Sequence, residues 1–176
     1  GLAPVAGKPI LELHVDDLVA QGVKRIILCV GHLSDHIIDY FKGRNDVELL
    51  YSIEEKPLGT GGALKNAKGL ILSDQFLVLN GDSLCETNYE SMLNYHNEKG
   101  SFITIVLSTA EESADYGNIV LGEHGQILSF QEKVASKKPS LISAGIYLIN
   151  TKVLSKIKGN YPISLEHDFF PTMIKK

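Results

Sequence analysis

The stretch FLVLNGDSLC, residues 76–85, sets an acid directly beyond an unbroken apolar run. Phe76, Leu77, Val78 and Leu79 show no polar alternation, so the pattern predicts a strand covered on both faces, as in the middle of a parallel sheet. Asp82 then lies past the carboxyl end of that strand, where crevices of open α/β sheets take up ligands. A carboxylate there also serves as a turn former or a helix cap. Thr87 and Glu90 have the spacing of a capping box for the following helix. That leaves Asp82 free to bind a hard cation such as Mg²⁺ through oxygen.

Upstream, EEKPLGTGGAL, residues 54–64, places three glycines and a threonine at a helix start. Free backbone N–H groups and close approach there suit a planar base or a phosphate. The stretch fits neither G-x-G-x-x-G nor G-x-x-x-x-G-K-[ST], and a structural turn is the competing reading. Glu132 and Lys133 follow the strand ILSFQ. An acid beside a base suits sugar hydroxyls and a phosphate, and a solvated charge pair accounts for them equally. Tyr116 and Gly117 open a strand and read as a turn or as part of a pocket. Glu166 and Asp168 fall in the first turn of the last helix, where the helix dipole accounts for them. His96 lies on an apolar stripe and is read as a core histidine. His32, His36, His124 and His167 show no metal-ligand spacing.

The elements that must carry these residues follow from periodicity. Pro9 suits a helix start, and Leu11, Val15, Leu18 and Val19 recur at helical spacing until Gly22. KRIILCV, residues 24–30, reads as a strand. A helix face of Leu33, Ile37 and Phe41 and the strand VELLYSI, residues 47–53, complete a βαβ unit. A helix from about Gly61 to Lys68 leads into Phe76–Asn80, with parallel pairing expected throughout. Beyond Gly100 strands dominate, over 102–107, 117–121, 126–131 and 141–149, and EHGQ forms the turn of a hairpin. Short helices are expected near 151–157 and 165–174. Only ASKKPS, residues 135–140, has linker-like composition.

Composition sets the class. The 176 residues suffice for one domain with a real core, and 44% hydrophobic with 22% charged residues is ordinary soluble usage. No apolar run approaches the ~20 residues that span a bilayer, and no signal peptide is evident. Lys+Arg 17 against Asp+Glu 21, a net charge of −4, lacks the basic excess of a nucleic-acid binder. Cys29 and Cys85 have no metal-type spacing and read as buried, unpaired thiols, which fits a reducing cytoplasm.

Taken in order, LAPVAGKPIL, EEKPLGTGGAL, FLVLNGDSL, DYGNIV, FQEK, SAGIYLI and SLEHDFFP resemble the sugar-1-phosphate nucleotidyltransferases. GTGGAL, NGDSL and SLEHDFFP look most like the D-glycero-D-manno-heptose 1-phosphate guanylyltransferases, with mannose-1-phosphate guanylyltransferases close behind. The resemblance implies an α/β, Rossmann-like three-layer sandwich with a mostly parallel central sheet. It implies one domain over 1–176, without the family's phosphate loop of form G-G-x-G-T-R and without its later D-I-G-type segment. It gives the nucleotide to Leu58, Gly59, Thr60, Gly61, Gly62 and Gly81, and Mg²⁺ to Asp82. Tyr116, Gly117, Glu132 and Gly145 would line the sugar pocket, and Lys133 would meet the sugar phosphate, with Asp82 and Lys133 as the catalytic pair.

The implied reaction is in-line attack of a sugar phosphate oxygen on the α-phosphorus of a nucleoside triphosphate, GTP being favoured, with release of pyrophosphate. The product would be a nucleotide sugar for surface polysaccharide. Such chemistry needs positioning and charge neutralisation, which glycines, lysines and carboxylates supply. The implied setting is cytoplasmic, without nucleic-acid or membrane partners, and compatible with a homo-oligomer. Two rival readings stand beside it. A glycosyltransferase would show Asp-x-Asp, whereas Asp82 is followed by Ser83 and Leu84. A non-catalytic domain would bind nucleotide without turnover.

Overall fold

The computed structural model describes residues 2, 4–5, 7–110, 118–131, 139–159 and 161–174. A hairpin of β1 (Pro4–Val5) and β2 (Lys8–Pro9), which periodicity did not signal, leads into α1 (Ile10–Ala20). β3 (Arg25–Val30), α2 (Ser34–Tyr40) and β4 (Glu48–Ile53) form the expected βαβ unit, and the strands pair in parallel from Arg25↔Glu48 to Val30↔Ile53. α3 (Gly59–Ala67) leads to β5 (Gln75–Leu79), followed by α4 (Tyr89–Glu98) and β6 (Ile103–Ala110). β7 (Asn118–Leu121) and β8 (Ile127–Gln131) make the hairpin expected around EHGQ, and β9 (Ser140–Asn150) returns across the molecule. A 3₁₀ turn (Thr151–Lys156), a π-helical turn (Leu165–Phe169) and α5 (Phe170–Met173) follow.

The α/β class stands, but the expectation of a mostly parallel sheet is corrected. Among the described residues only β3 and β4 pair in parallel, whereas β9 runs antiparallel between β5 and β6. The reason is β9 itself, 11 residues long and apolar over most of its length, which enters the sheet after a chain reversal.

β9 is also the strand dry on both faces, the place the apolar run had given to β5. Ile146, Tyr147, Leu148 and Ile149 are all buried, while every residue of β5 is only half-buried. Alternation sends Ile146 and Leu148 into one core and Tyr147 and Ile149 into another. The first core adds Val15 and Leu18 of α1, Ile26, Leu28 and Val30 of β3, and Tyr89 and Met92 of α4. The second adds Leu64 of α3 and Leu154, Ile163, Leu165, Phe169 and Phe170 from the carboxyl-terminal elements. A sheet layer thus lies between two apolar layers, each lined by helices.

Two further expectations change, and one holds. The cap of α4 is Asn88, whose Oδ1 accepts from the Ser91 amide at 2.7 Å, while the Thr87 hydroxyl donates to the Cys85 carbonyl. Gln21, at the end of α1, donates to the Thr87 carbonyl and accepts from the Tyr89 amide, which sets the helix start one residue later. The thiols are unpaired as expected, but neither is buried: Cys29 is exposed and Cys85 half-buried. Cys29 points away from the first core, on the face of β3 that carries Ile27 rather than Leu28. His96 is a core histidine, 1% exposed, its Nδ1 within 2.8 Å of the Thr104 hydroxyl.

Burial holds the His96 imidazole below its ordinary pKa of 6.5. Below that pH the unfolded chain takes up a proton that the folded chain resists, so stability present above the unfolded pKa is lost as the solution acidifies. We expect the urea midpoint to fall between about pH 7.5 and about pH 5.5, and His96→Gln to fall less over that window. Equal losses in the two proteins would show that His96 does not set the acid limb.

Candidate active site

The carboxyl ends of β3 and β4 open on a cavity of about 590 Å³ lined by Gly31, His32, Glu54, Glu55, Lys56 and Pro57. Parallel strands that end together create such a crevice, and the chain leaving β4 runs along it into α3. Glu54 shapes that exit, since its carboxylate accepts the Leu58 amide at 3.1 Å.

The glycine loop is placed as expected but is used differently. The Leu58 carbonyl accepts from the Ile163 amide, and the Gly61 amide donates to the Ile163 carbonyl, both at 2.8 Å. Thr60 Oγ1 accepts from the Leu165 amide at 2.8 Å. A Cβ on Gly59, whose φ is +72°, would sit 2.5 Å from the Ile163 carbonyl oxygen, and one on Gly62 would sit 2.6 Å from the Tyr161 ring. The Gly61 N–H, expected to await a ligand, is therefore already engaged. The close approach that these glycines allow is made first by residues 161–165 of the same chain. The segment lies about a hundred residues away in sequence, so nothing local could have signalled it.

Asp82 stands where the apolar run predicted, beyond β5 and exposed. Among the described residues no hydrogen bond or ion pair engages its carboxylate, and a Cβ on Gly81 would meet nothing within 4 Å. No group of three or more His, Cys, Asp or Glu residues forms a metal site among the described residues. A single open carboxylate fits Mg²⁺, which keeps waters and shares its shell with substrate phosphates.

His14 of α1, which the sequence reading passed over, supports this loop from below. It is buried, and burial lowers its pKa, opposed by the nearby Ser83 backbone and by the charges of Asp17 and Asp82. Its position between Leu11 and Leu18 on the apolar stripe was the available signal. Gly145 also comes to the Asp82 loop. Its carbonyl accepts the Asn80 amide at 2.8 Å, and with φ at +74° a Cβ there would lie 2.6 Å from Asn80 Nδ2. Tyr116, Gly117, Glu132 and Lys133 lie outside the described residues. The carboxylates attributed to the helix dipole have specific partners instead: Glu166 takes the Tyr147 hydroxyl and Asp168 the Ser164 amide.

Comparison with known proteins gives a consistent set of similarities. The family described as "Nucleotidyl transferase" matches residues 2–176. The chain is 35% identical over 180 residues to the mannose-1-phosphate guanylyltransferase catalytic subunit beta of Drosophila pseudoobscura pseudoobscura, covering 99% of this chain and 48% of that protein. It thus spans about half the length of the curated relatives it matches. Crystal structures of HddC from Yersinia pseudotuberculosis, one of them complexed with GMP-PN, superpose with a TM-score of 0.85 at 31% identity, covering 97% of this chain and 75% of HddC. A UDP-glucose pyrophosphorylase shares the fold at a TM-score of 0.80 with 20% identity, over 98% of this chain and 77% of that one.

The loop geometry separates two kinds of glycine. Gly59→Ala should lower stability by about 2 kcal/mol or more, because the left-handed backbone and the Ile163 carbonyl both reject a Cβ. Gly81→Ala, facing open space, should stay within about 0.5 kcal/mol of the parent. Urea denaturation of both variants checks the contrast, and comparable losses would refute it.

Proposed function

Because the chain belongs to the nucleotidyl transferase family, we propose that it transfers GMP from GTP to a sugar 1-phosphate with release of pyrophosphate, residues 1–176 acting as one nucleotidyltransferase domain. The observation that carries this reading is the open Asp82 carboxylate beyond β5, beside a glycine with free space around it and at the carboxyl-terminal edge of the sheet. The GMP-PN complex of HddC supports a guanine nucleotide.

In this reading Leu58, Gly59, Thr60, Gly61 and Gly62, held in shape by Ile163 and Leu165, form the floor for the nucleotide, with Gly81 at its edge. Gly145 belongs to the sugar wall together with Tyr116, Gly117 and Glu132, and Lys133 meets the sugar phosphate. Asp82 would hold Mg²⁺, which supplies charge neutralisation at the phosphates when bound. The chain's own contribution is orientation: an anionic nucleophile and a triphosphate repel, and fixed groups that hold them in line remove most of the entropic cost. D-glycero-D-manno-heptose 1-phosphate is the favoured acceptor, on the motif set GTGGAL, NGDSL and SLEHDFFP. Mannose 1-phosphate is the second reading, favoured by the similarity to mannose-1-phosphate guanylyltransferases. A need for GTP favours a cytoplasmic setting, and no helix among the described residues is long and apolar enough to cross a membrane.

The test is pyrophosphate release by the full-length protein across a panel of nucleoside triphosphates and sugar 1-phosphates with Mg²⁺. GTP with a heptose or mannose 1-phosphate should give the highest specificity constant. Nucleotide binding without pyrophosphate release from any pair would return the chain to a non-catalytic role. Asp82→Asn should lower turnover by about 100-fold or more, since a neutral amide cannot offset phosphate charge, while leaving the urea midpoint unchanged. Undiminished turnover at saturating Mg²⁺ would remove Asp82 from the metal role.

A further inference from the structure

We propose that Glu166 is a positioning residue for the sugar-phosphate side of the site, acting through Tyr147 and Ser143 on Gly145. The inference rests on the sugar-1-phosphate reading above and names a residue that reading does not use.

Four groups form a chain of hydrogen bonds that all run one way. The Gly145 amide donates to Ser143 Oγ at 3.2 Å, the Ser143 hydroxyl donates to the Tyr147 hydroxyl at 3.3 Å, and the Tyr147 hydroxyl donates to Glu166 Oε1 at 2.5 Å. The direction is imposed by the last member. An ionised carboxylate only accepts, so the single proton of the Tyr147 hydroxyl must point at Glu166, and its oxygen is left as an acceptor for its other neighbours. The neighbour that uses it is Ser143, and Asn80 lies close enough to the phenol to oppose the rise in its pKa. Burial, followed by the bond to Glu166, raises the Tyr147 pKa far above its ordinary value, so the hydroxyl keeps its proton. Tyr147 is 1% exposed, so its hydroxyl depends on protein partners.

The other end of the chain reaches the Asp82 loop. Gly145 holds Asn80 twice, through the Asn80 amide to the Gly145 carbonyl and through the side-chain contact that only a glycine permits. Asn80 stands two residues before Asp82. The orientation of the Gly145 peptide, the assigned sugar wall, is thereby fixed to an anion on an element some twenty residues further along. Without the carboxylate the Tyr147 hydroxyl would lose its acceptor and turn toward Ser143 or Asn80. The Ser143 hydroxyl would then lose its acceptor and be free to rotate, so its oxygen would no longer be held toward the Gly145 amide. The nucleotide loop hangs on Ile163 by two backbone bonds and on the Leu165 amide through the Thr60 hydroxyl, none of them part of this hydrogen-bond chain, so the two halves of the site should respond separately.

The experiment compares Glu166→Ala, Glu166→Gln and Tyr147→Phe in the full-length protein. Amide hydrogen exchange at Asn80 and Gly145 is measured without substrates, and KM is measured for GTP and for heptose and mannose 1-phosphates. Glu166→Ala and Tyr147→Phe should speed exchange at both amides and raise the sugar-phosphate KM, each by about tenfold or more, with the GTP KM within about twofold of the parent. Glu166→Gln keeps an oxygen for the Tyr147 hydroxyl and should stay within about threefold on every measure. Tyr147→Phe keeps the ring in the core it shares with Ile163 and Leu165 and removes only the hydroxyl, which guards against mere loosening of that segment. The proposal is overturned by unchanged exchange at Asn80 and Gly145, by GTP and sugar-phosphate KM values that rise together, or by Glu166→Gln failing as badly as Glu166→Ala. A wild-type protein without turnover would overturn the functional reading instead, and the exchange comparison would still decide whether Glu166 orders Gly145.

Discussion

β9 has to be dry on both faces, and most of the molecule is arranged to meet that requirement. Its residues 146–149 alternate between two separate apolar cores, so a helix layer is needed on each side of the sheet. α1 and α4 close one side, while α3 and the chain from Ile163 to Phe170 close the other. Each of the four side chains stabilises by roughly 1.5–3 kcal/mol when fully buried, which is large against the net stability of a domain. The half-buried β5 and the two-stranded unit of β3 and β4 attach to this strand and its cores rather than the reverse.

The same strand carries the polar groups that reach the site. Ser143, Gly145 and Tyr147 lie where the β6–β9 register shifts and Gly145 takes a φ of +74°, and hydrogen bonds join Ser143 to both of the others. A buried tyrosine hydroxyl must find partners or cost stability, and here it finds Ser143 and Glu166. Structural satisfaction and functional orientation are therefore one arrangement. The packing that makes β9 central also fixes where its glycine can stand.

Residues 161–168 act as a strap across the site. Through Tyr161, Ile163 and Leu165 they meet the glycine loop, and through Glu166 they hold the Tyr147 hydroxyl of β9. Backbone bonds hold the first half and side-chain bonds the second. In the proposed reading, substitutions in the strap alter the nucleotide and sugar sides independently, even though only a few residues separate the contacts.

What the sequence determined by itself was whatever depends on near neighbours along the chain. Apolar periodicity located α1, β3, β4, α3, β5, α4 and the β7–β8 hairpin within a residue or two, because helix and strand faces repeat every few positions. The acid beyond an apolar run marked Asp82, and the ordered motifs marked the family. What only the tertiary structure decided depends on partners brought together from afar. β5 looked central because its own residues are apolar, yet burial is a property of the neighbours, and β9 took the middle. The loop glycines looked ready for a ligand because a sequence cannot show that Ile163 already lies against them. The apolar stripe marked His14 as inward-facing but not what it meets, and nothing local joined Tyr147 to Glu166, 19 residues away, since both are defined by what they touch.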